Sequence, residues 1–107
     1  MTIPEALAPT GIACSHPPHM GAQDKYVTYQ LLGQTGILYG EGKEQETAVS
    51  YAVDLYVKGD YIEDMLSVKA ALEKGGYIVS IDVEYLENDL DLYHISMTAT
   101  KEGAVYG

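Results

Sequence analysis

The clearest pattern in the sequence is an alternation of side chains that runs from Glu46 to Lys58. A period of two over this length predicts one long strand with a buried face. The predicted buried set is Thr47, Val49, Tyr51, Val53, Leu55 and Val57. The other face includes small or amphipathic residues, namely Ala48, Ala52 and Tyr56. We therefore predict a second packing surface on that face.

Shorter alternations predict strands on both sides of this one. Residues 26–32 fit a strand, and the glycine-rich segment 33–42 is interpreted as turns around a short or edge strand at 37–39. Two closing strands are predicted at 77–85 and 93–100, joined by the acidic loop 86–91 as a hairpin. Their buried sets are Tyr77, Val79, Ile81, Val83 and Tyr85, and then Tyr93, Ile95, Met97 and Ala99.

Between these strands the apolar positions change to helical spacing. The stripe consists of Tyr61, Met65, Val68 and Leu72, flanked by Ile62 and Leu66. It predicts a helix that ends at about Lys74, with the glycine pair at 75–76 as its stop. Asp60 stands at the N-cap position, and Glu63 follows three residues later as in a capping box.

All four prolines lie in the first 24 residues. We expect residues 1–24 to form an arm with a short helical turn at about Ile3–Ala8, and residues 25–107 to form a single α+β domain. The order after the arm is β-β-β-α-β-β, which predicts a mainly antiparallel sheet with one principal helix packed on one face. Since one helix covers only one face, the other face and the edges are expected to meet another subunit.

The charge balance narrows the class of partner. The chain has 107 residues, with 16 acidic and 6 basic ones, and its net charge is −10. This sign argues against specific binding of nucleic acid or of an anionic membrane, and it favours a protein partner. No apolar run approaches the roughly 20 residues that span a bilayer, and no export signal is evident. All ten aromatic residues are tyrosines, which suit interfaces.

Few residues suggest catalysis or metal binding. Cys14, His16 and His19 are of the ligand types that zinc prefers, but two prolines separate the histidines and no second ligand pair follows. The single cysteine excludes an internal disulfide. His94 is interpreted as a surface or cross-strand residue and not as a general base. We therefore expect no catalytic residue, no cofactor and no metal, so that the protein is not an enzyme.

Several phrases of the sequence resemble a known family. They are KYVTYQLLG at 25–33, TAVSYAVDLYVK at 47–58, KGGY at 74–77 and EYLENDLDLYH at 84–94. Over roughly residues 20 to 101, the chain resembles the tail-completion, or tail-terminator, proteins of long-tailed bacteriophages and prophages. The resemblance implies a homo-oligomeric ring, typically a hexamer, that caps the tail tube. Its other partners would be the tail-tube protein and the head–tail connector, and its place would be the virion tail, assembled in the bacterial cytoplasm.

Two sets of residues are candidates for roles in such a ring. The interface candidates are Tyr39, Ala48, Tyr51, Ala52 and Tyr56. The candidates to line a channel are Glu41, Glu44, Glu46, Glu84, Glu87, Asp89 and Asp91. The alternative is an acidic inhibitor or immunity-type protein that binds a basic nuclease, because small size and negative charge serve that role too. An enzyme of small molecules would require a deep pocket with convergent polar groups.

Overall fold

The computed structural model describes residues 2–17, 24–39, 43–87 and 92–102. The elements in chain order are α1 (Ile3–Leu7), a 3₁₀ turn (Ala8–Thr10), β1 (Ala13–Ser15), β2 (Lys25–Tyr39), β3 (Lys43–Lys58), α2 (Ile62–Lys74), β4 (Ile78–Glu87) and β5 (Leu92–Glu102). The strands form one sheet in the order β1-β2-β3-β5-β4. Among the strand pairs that the structure describes, β1–β2 is parallel and the other three are antiparallel. The predicted α+β class with a mainly antiparallel sheet is therefore confirmed.

One face of the sheet forms the core with both helices. The core side chains are Val27 of β2, Val53, Leu55 and Val57 of β3, Ile95, Met97 and Ala99 of β5, Val68 and Leu72 of α2, Tyr77, and Ile3, Ala6 and Leu7 of α1. The residues of β3 and β5 in this set are all odd-numbered, as the alternation in the sequence predicts. The even-numbered residues from Ala48 to Lys58 on β3 and from Leu92 to Thr100 on β5 lie on the opposite face.

The N-terminal segment contributes to this core, although the sequence suggested an arm. Helix α1 begins with a capping box in which Thr2 Oγ1 accepts a hydrogen bond from the Glu5 amide and the Glu5 carboxylate accepts one from the Thr2 amide. Pro4 stands in the first turn of the helix, where its missing N–H costs nothing. A Cβ added to Gly75 would lie 2.8 Å from Cβ of Ala6, so α1 and α2 are in close contact.

Strand β2 is continuous, so the prediction of turns around a separate strand at 37–39 is wrong. Its pairing with β3 continues through two irregularities, between Leu31 and Gly33 and between Ile37 and Leu38. A bulge inserts an extra residue and bends a strand without ending it. Gly33 and Gly36 are therefore accommodated within the strand. Strand β3 begins at Lys43, three residues before the predicted Glu46.

Strand β4 contains a third bulge, which overturns its predicted alternation. Pairing with β5 shifts between Ile81 and Val83, and the extra residue is Asp82. The Asp82 carboxylate accepts hydrogen bonds from Ser80 Oγ at 2.8 Å and from Thr98 Oγ1 at 2.7 Å. Because the extra residue reverses the alternation, Val83 and the residues after it lie on the faces opposite to those predicted.

Helix α2 follows the prediction closely. It ends at Lys74, Asp60 Oδ1 accepts a hydrogen bond from the Ile62 amide at 3.1 Å, and Gly76 has the left-handed φ of 99° that stops the helix. The N-cap residue is Tyr61, so Asp60 caps from one position further back. Within the described ranges, neither helix is long and apolar enough to cross a membrane.

Candidate functional site

The face of the sheet opposite the helices is called the open face below. Both described helices pack on the other side, so neither covers the open face. It presents the even-numbered residues 48–58 of β3 and 92–100 of β5, and after its bulge β4 adds Val83 and Tyr85. Its side chains on β3 and β5 are mostly half-buried. This is therefore a surface of small, hydroxyl-bearing and aromatic groups on a rigid sheet.

Four rings form a row across the open face, which we call the aromatic row. It consists of Tyr26 on β2, Tyr56 on β3, His94 on β5 and Tyr85 on β4. The centroid distances are 4.7 Å for Tyr26–Tyr56, 4.2 Å for Tyr56–His94 and 4.6 Å for Tyr85–His94. The first two pairs are stacked, at 18° and 21°. Because these rings stack on one another, the row presents ring edges outward and offers no flat platform to a base or sugar.

His94, in the middle of the aromatic row, contacts the carboxylate of Asp54. Nε2 of His94 lies 2.7 Å from Oδ1 of Asp54, and the two side chains are only 12% and 19% exposed. The carboxylate and two neighbouring rings together hold the imidazole in one orientation. The structure thus places His94 in a cross-strand contact with Asp54.

The rest of the open face is built from short side chains. Oγ of Ser50 and Oγ1 of Thr100 are 3.0 Å apart across β3 and β5, and Ala52 lies opposite Thr98. Thr98 in turn donates to Asp82 of β4. This region is flat and polar, and its hydroxyl groups are engaged in cross-strand bonds.

The interface candidates divide between the two faces. Ala48, Ala52 and Tyr56 share the open face, whereas Tyr51 lies on the helix face with its ring centroid 6.3 Å from that of Tyr77. Tyr39 lies in β2, but its side chain is outside the described part of the structure. The structure therefore brings three of the five candidates together.

The channel candidates divide between opposite ends of the sheet. Glu44 and Glu46 lie near the start of β3, whereas Glu84 and Glu87 lie near the end of β4. The antiparallel pairing of Lys58 with Leu92 places the end of β4 and the start of β5 at the end of the sheet far from Lys43. With about 3.4 Å per residue, the two ends of β3 are roughly 50 Å apart. Of these side chains only that of Glu84 is described, and Glu41, Asp89 and Asp91 lie outside the described residues.

Glu84 lies on the helix face as a result of the β4 bulge. Its carboxylate accepts a hydrogen bond from the Tyr61 hydroxyl, and this bond raises the pKa of Tyr61 to about 12. The Tyr61 ring also lies 4.9 Å from that of Tyr93. The contact therefore joins the start of α2 to β4 and β5.

Exposed large apolar side chains concentrate on two strands. Among the described side chains there are nine, and seven belong to β2 or β4: Leu31, Leu32, Ile78, Ile81, Val83, Tyr85 and Leu86. Strand β4 is the last of the sheet, and β1 pairs with β2 only at residues 26–28. Within the described ranges, both strands therefore present open backbone edges next to exposed apolar groups. The alternation in β4 had indicated a buried strand, so sequence reasoning missed this surface.

The N-terminal residues of ligand type do not converge. Cys14 is half-buried against the core, where burial raises the pKa of its thiol to about 11. His16 is exposed, and its ring centroid is 4.3 Å from that of Tyr29. In the part of the chain that the structure describes, which excludes His19, no three His, Cys, Asp or Glu side chains form a group suited to a metal ion.

The described surface has grooves beside Ile12 and Lys25 and beside Gly59 and Tyr93. Both are shallow and open to solvent. An enzyme site of the usual kind is a deeper, mostly apolar cleft with a few convergent polar groups.

No protein-family model matches the chain, and no curated protein matches it. Inference about its function therefore depends on its own residues, above all on the open face and the two apolar edges.

Proposed function

We propose that this protein is a structural subunit of a phage or prophage tail. It assembles as a homo-oligomeric ring at the head-proximal end of the tail tube, where it completes the tail and forms part of the joining interface with the head. The resemblance of residues 20 to 101 to tail-completion proteins suggests this role. The observation that carries it is the concentration of exposed apolar side chains on two open strand edges.

Open apolar edges are a liability for a protein that works alone. Globular proteins protect edge strands with charges, prolines or short lengths, because an unpaired edge joins readily to other chains. Here β4 is a 10-residue edge strand that has five exposed large apolar side chains in addition to three carboxylates and a bulge. A subunit whose edges are covered by neighbours has no such liability, and this supports a permanent assembly.

The acidic composition supports a position around passing DNA. A channel lined by carboxylates repels the phosphate backbone and lets DNA move without being held. Glu44 and Glu46 lie near the start of β3, and Glu84 and Glu87 lie near the end of β4, at the opposite end of the sheet. We propose that these two acidic groups mark the two openings of the channel if the strands run along its axis. If the strands run across the axis, only one of the two groups faces the channel.

Electron microscopy of the purified protein, alone and with tail tubes, tests this proposal. We expect rings with a central hole that bind one end of the tube. In a phage that encodes the chain, deleting its gene should give tails without heads, and expression in trans should restore joined particles.

The same experiments address the acidic-inhibitor alternative. A protein that forms no ring, binds no tail tube and captures a basic nuclease in a one-to-one complex would overturn the tail assignment. Pull-down from infected cells separates the two roles, because the first predicts tail-tube and connector proteins and the second predicts a basic nuclease.

A further inference from the structure

We propose that successive copies of this chain join through their sheet edges, with β4 of one copy pairing with the part of β2 beyond Thr28 in the next. The occupant of each edge is thus a second copy of the same chain. This inference rests on the proposed ring and adds the contact that builds it.

The two edges match in length and lie at opposite ends of one sheet. Strand β4 has 10 residues, and β2 has 15, of which β1 covers only residues 26–28. About ten residues on each side remain to form a new ladder, which spans roughly 34 Å. Each copy offers one edge of each kind, so the contact can repeat from copy to copy.

The direction of the strands determines the geometry of the contact. The pairs β2–β3, β3–β5 and β5–β4 are all antiparallel, so β4 runs opposite to β2. When all copies keep the same orientation, the new β4–β2 pair is antiparallel and the sheet continues through the junction. Such a contact joins unlike surfaces, and it produces a ring when the rotation closes.

Charge distinguishes this contact from a two-fold dimer. Strand β4 contains Asp82, Glu84 and Glu87 and no lysine, whereas β2 contains Lys25 and no carboxylate. Two β4 edges that met each other would bring like charges together, which destabilises a strand pair. A pair of β2 edges would leave the five exposed apolar residues of β4 uncovered. Only the β4–β2 contact avoids the repulsion and covers both apolar edges.

Three variants that introduce the same charge test the contact. Val83→Lys alters the β4 edge, and Leu32→Lys alters the β2 edge. Ile62→Lys is the control, because Ile62 lies on α2 and has the same exposure as Val83, 47%. Circular dichroism and thermal melting check that each variant folds. We expect Val83→Lys and Leu32→Lys to raise the concentration needed for ring formation at least tenfold, and Ile62→Lys to leave it unchanged.

Mixing the two edge variants gives the sharper result. The Val83→Lys variant retains an intact β2 edge, and the Leu32→Lys variant retains an intact β4 edge. An equal mixture should therefore form a one-to-one dimer, which native mass spectrometry resolves, and it should form no ring. A two-fold contact through β4 predicts instead that Leu32→Lys alone still associates and that Val83→Lys does not. That outcome, or wild-type-like rings from both variants, overturns the edge contact while leaving the ring proposal intact. If the wild-type protein forms no ring, alone or on tail tubes, the proposed function itself fails.

Discussion

Asp54 and His94 form a diagonal contact across β3 and β5, with Oδ1 and Nε2 2.7 Å apart. They are not direct partners in the ladder, because Asp54 is opposite Ser96 and His94 is opposite Tyr56. Diagonal neighbours on one face of an antiparallel pair are within reach of long and aromatic side chains. The contact therefore links the aromatic row to the neighbouring pair of polar residues on the open face, Asp54 and Ser96.

Breaking this contact should destabilise the protein by a measurable amount. We expect Asp54→Ala and His94→Ala each to lower the free energy of unfolding by about 1–3 kcal/mol, because each removes a half-buried hydrogen bond between the two side chains. Urea denaturation of the single and double variants gives a coupling energy for the pair. Strictly additive effects would show that the two side chains do not interact. The control is Lys69→Ala, which removes the exposed ion pair with Glu73 and should cost about 0.5 kcal/mol or less.

The two leucines of α2 should respond very differently to truncation. Leu72 is fully buried in the core, whereas Leu66 is 54% exposed. We expect Leu72→Ala to cost about 2–5 kcal/mol through lost burial and a cavity. Leu66→Ala should change stability by about 0.5 kcal/mol or less. Denaturation midpoints measure both, and equal costs would contradict the orientation of α2.

Gly75 should reject a side chain because of Ala6. A Cβ at position 75 would lie 2.8 Å from the Ala6 Cβ, so Gly75→Ala should cost about 1–3 kcal/mol through overpacking between α1 and α2. Added to Ala6→Gly, the same change should cost less, because the clashing methyl group is gone. Gly33→Ala is the control, since a Cβ there has no neighbour within 4 Å. A cost of Gly75→Ala that is the same in both backgrounds would disprove the contact.

Stability should fall in alkaline solution as buried groups ionise. Burial raises the pKa of Tyr77 from 10.0 to about 12. A folded-state pKa above the unfolded value means that the stabilisation is complete below about pH 10 and is lost as pH rises toward 12. The melting temperature should therefore decline over this window. Tyr77→Phe should reduce the decline of the melting temperature over this pH range. An unchanged decline would show that other groups cause it.

The thiol of Cys14 contributes in the same direction, because its pKa is raised from 9.0 to about 11. The stabilisation of the folded protein that comes from the neutral thiol is lost as the pH rises from 9.0 to about 11. Alkylation at pH 8 should be many times slower in the folded protein than in urea. Equal rates in the two conditions would show that the thiol is freely accessible.

The elements that the sequence predicted well each depend on one uninterrupted period. The alternation from Glu46 to Lys58 lies within β3, and the predicted helix, which ends at Lys74, matches α2. The predicted alternation of β4 is wrong after Asp82, because Asp82 is the extra residue of a bulge. The sequence gives no sign of this bulge, since a polar residue at an even position also fits a regular alternation. The continuity of β2 could not be predicted either, since its glycines are held by partners on β3 that are distant in sequence.

The sequence predicted the open face only where odd and even positions along one strand decide which side chains share a face. Ala48, Ala52 and Tyr56 are all even-numbered, so their shared face follows from the alternation. Tyr51 has the opposite parity, and it lies against Tyr77. The aromatic row depends on the register of four strands, and register is set by long-range pairing that no local pattern encodes.

The contact between α1 and α2 has a consequence for synthesis. Residues 6 and 75 meet in the folded protein, so α1 can pack against α2 only after about 70 further residues have been synthesised, on the order of 10 s at typical rates of elongation. During this interval Ile3 and Leu7, which are fully buried at the end, are open to chaperones and to other nascent chains. Helix α1 is thus made well before the residues that bury it.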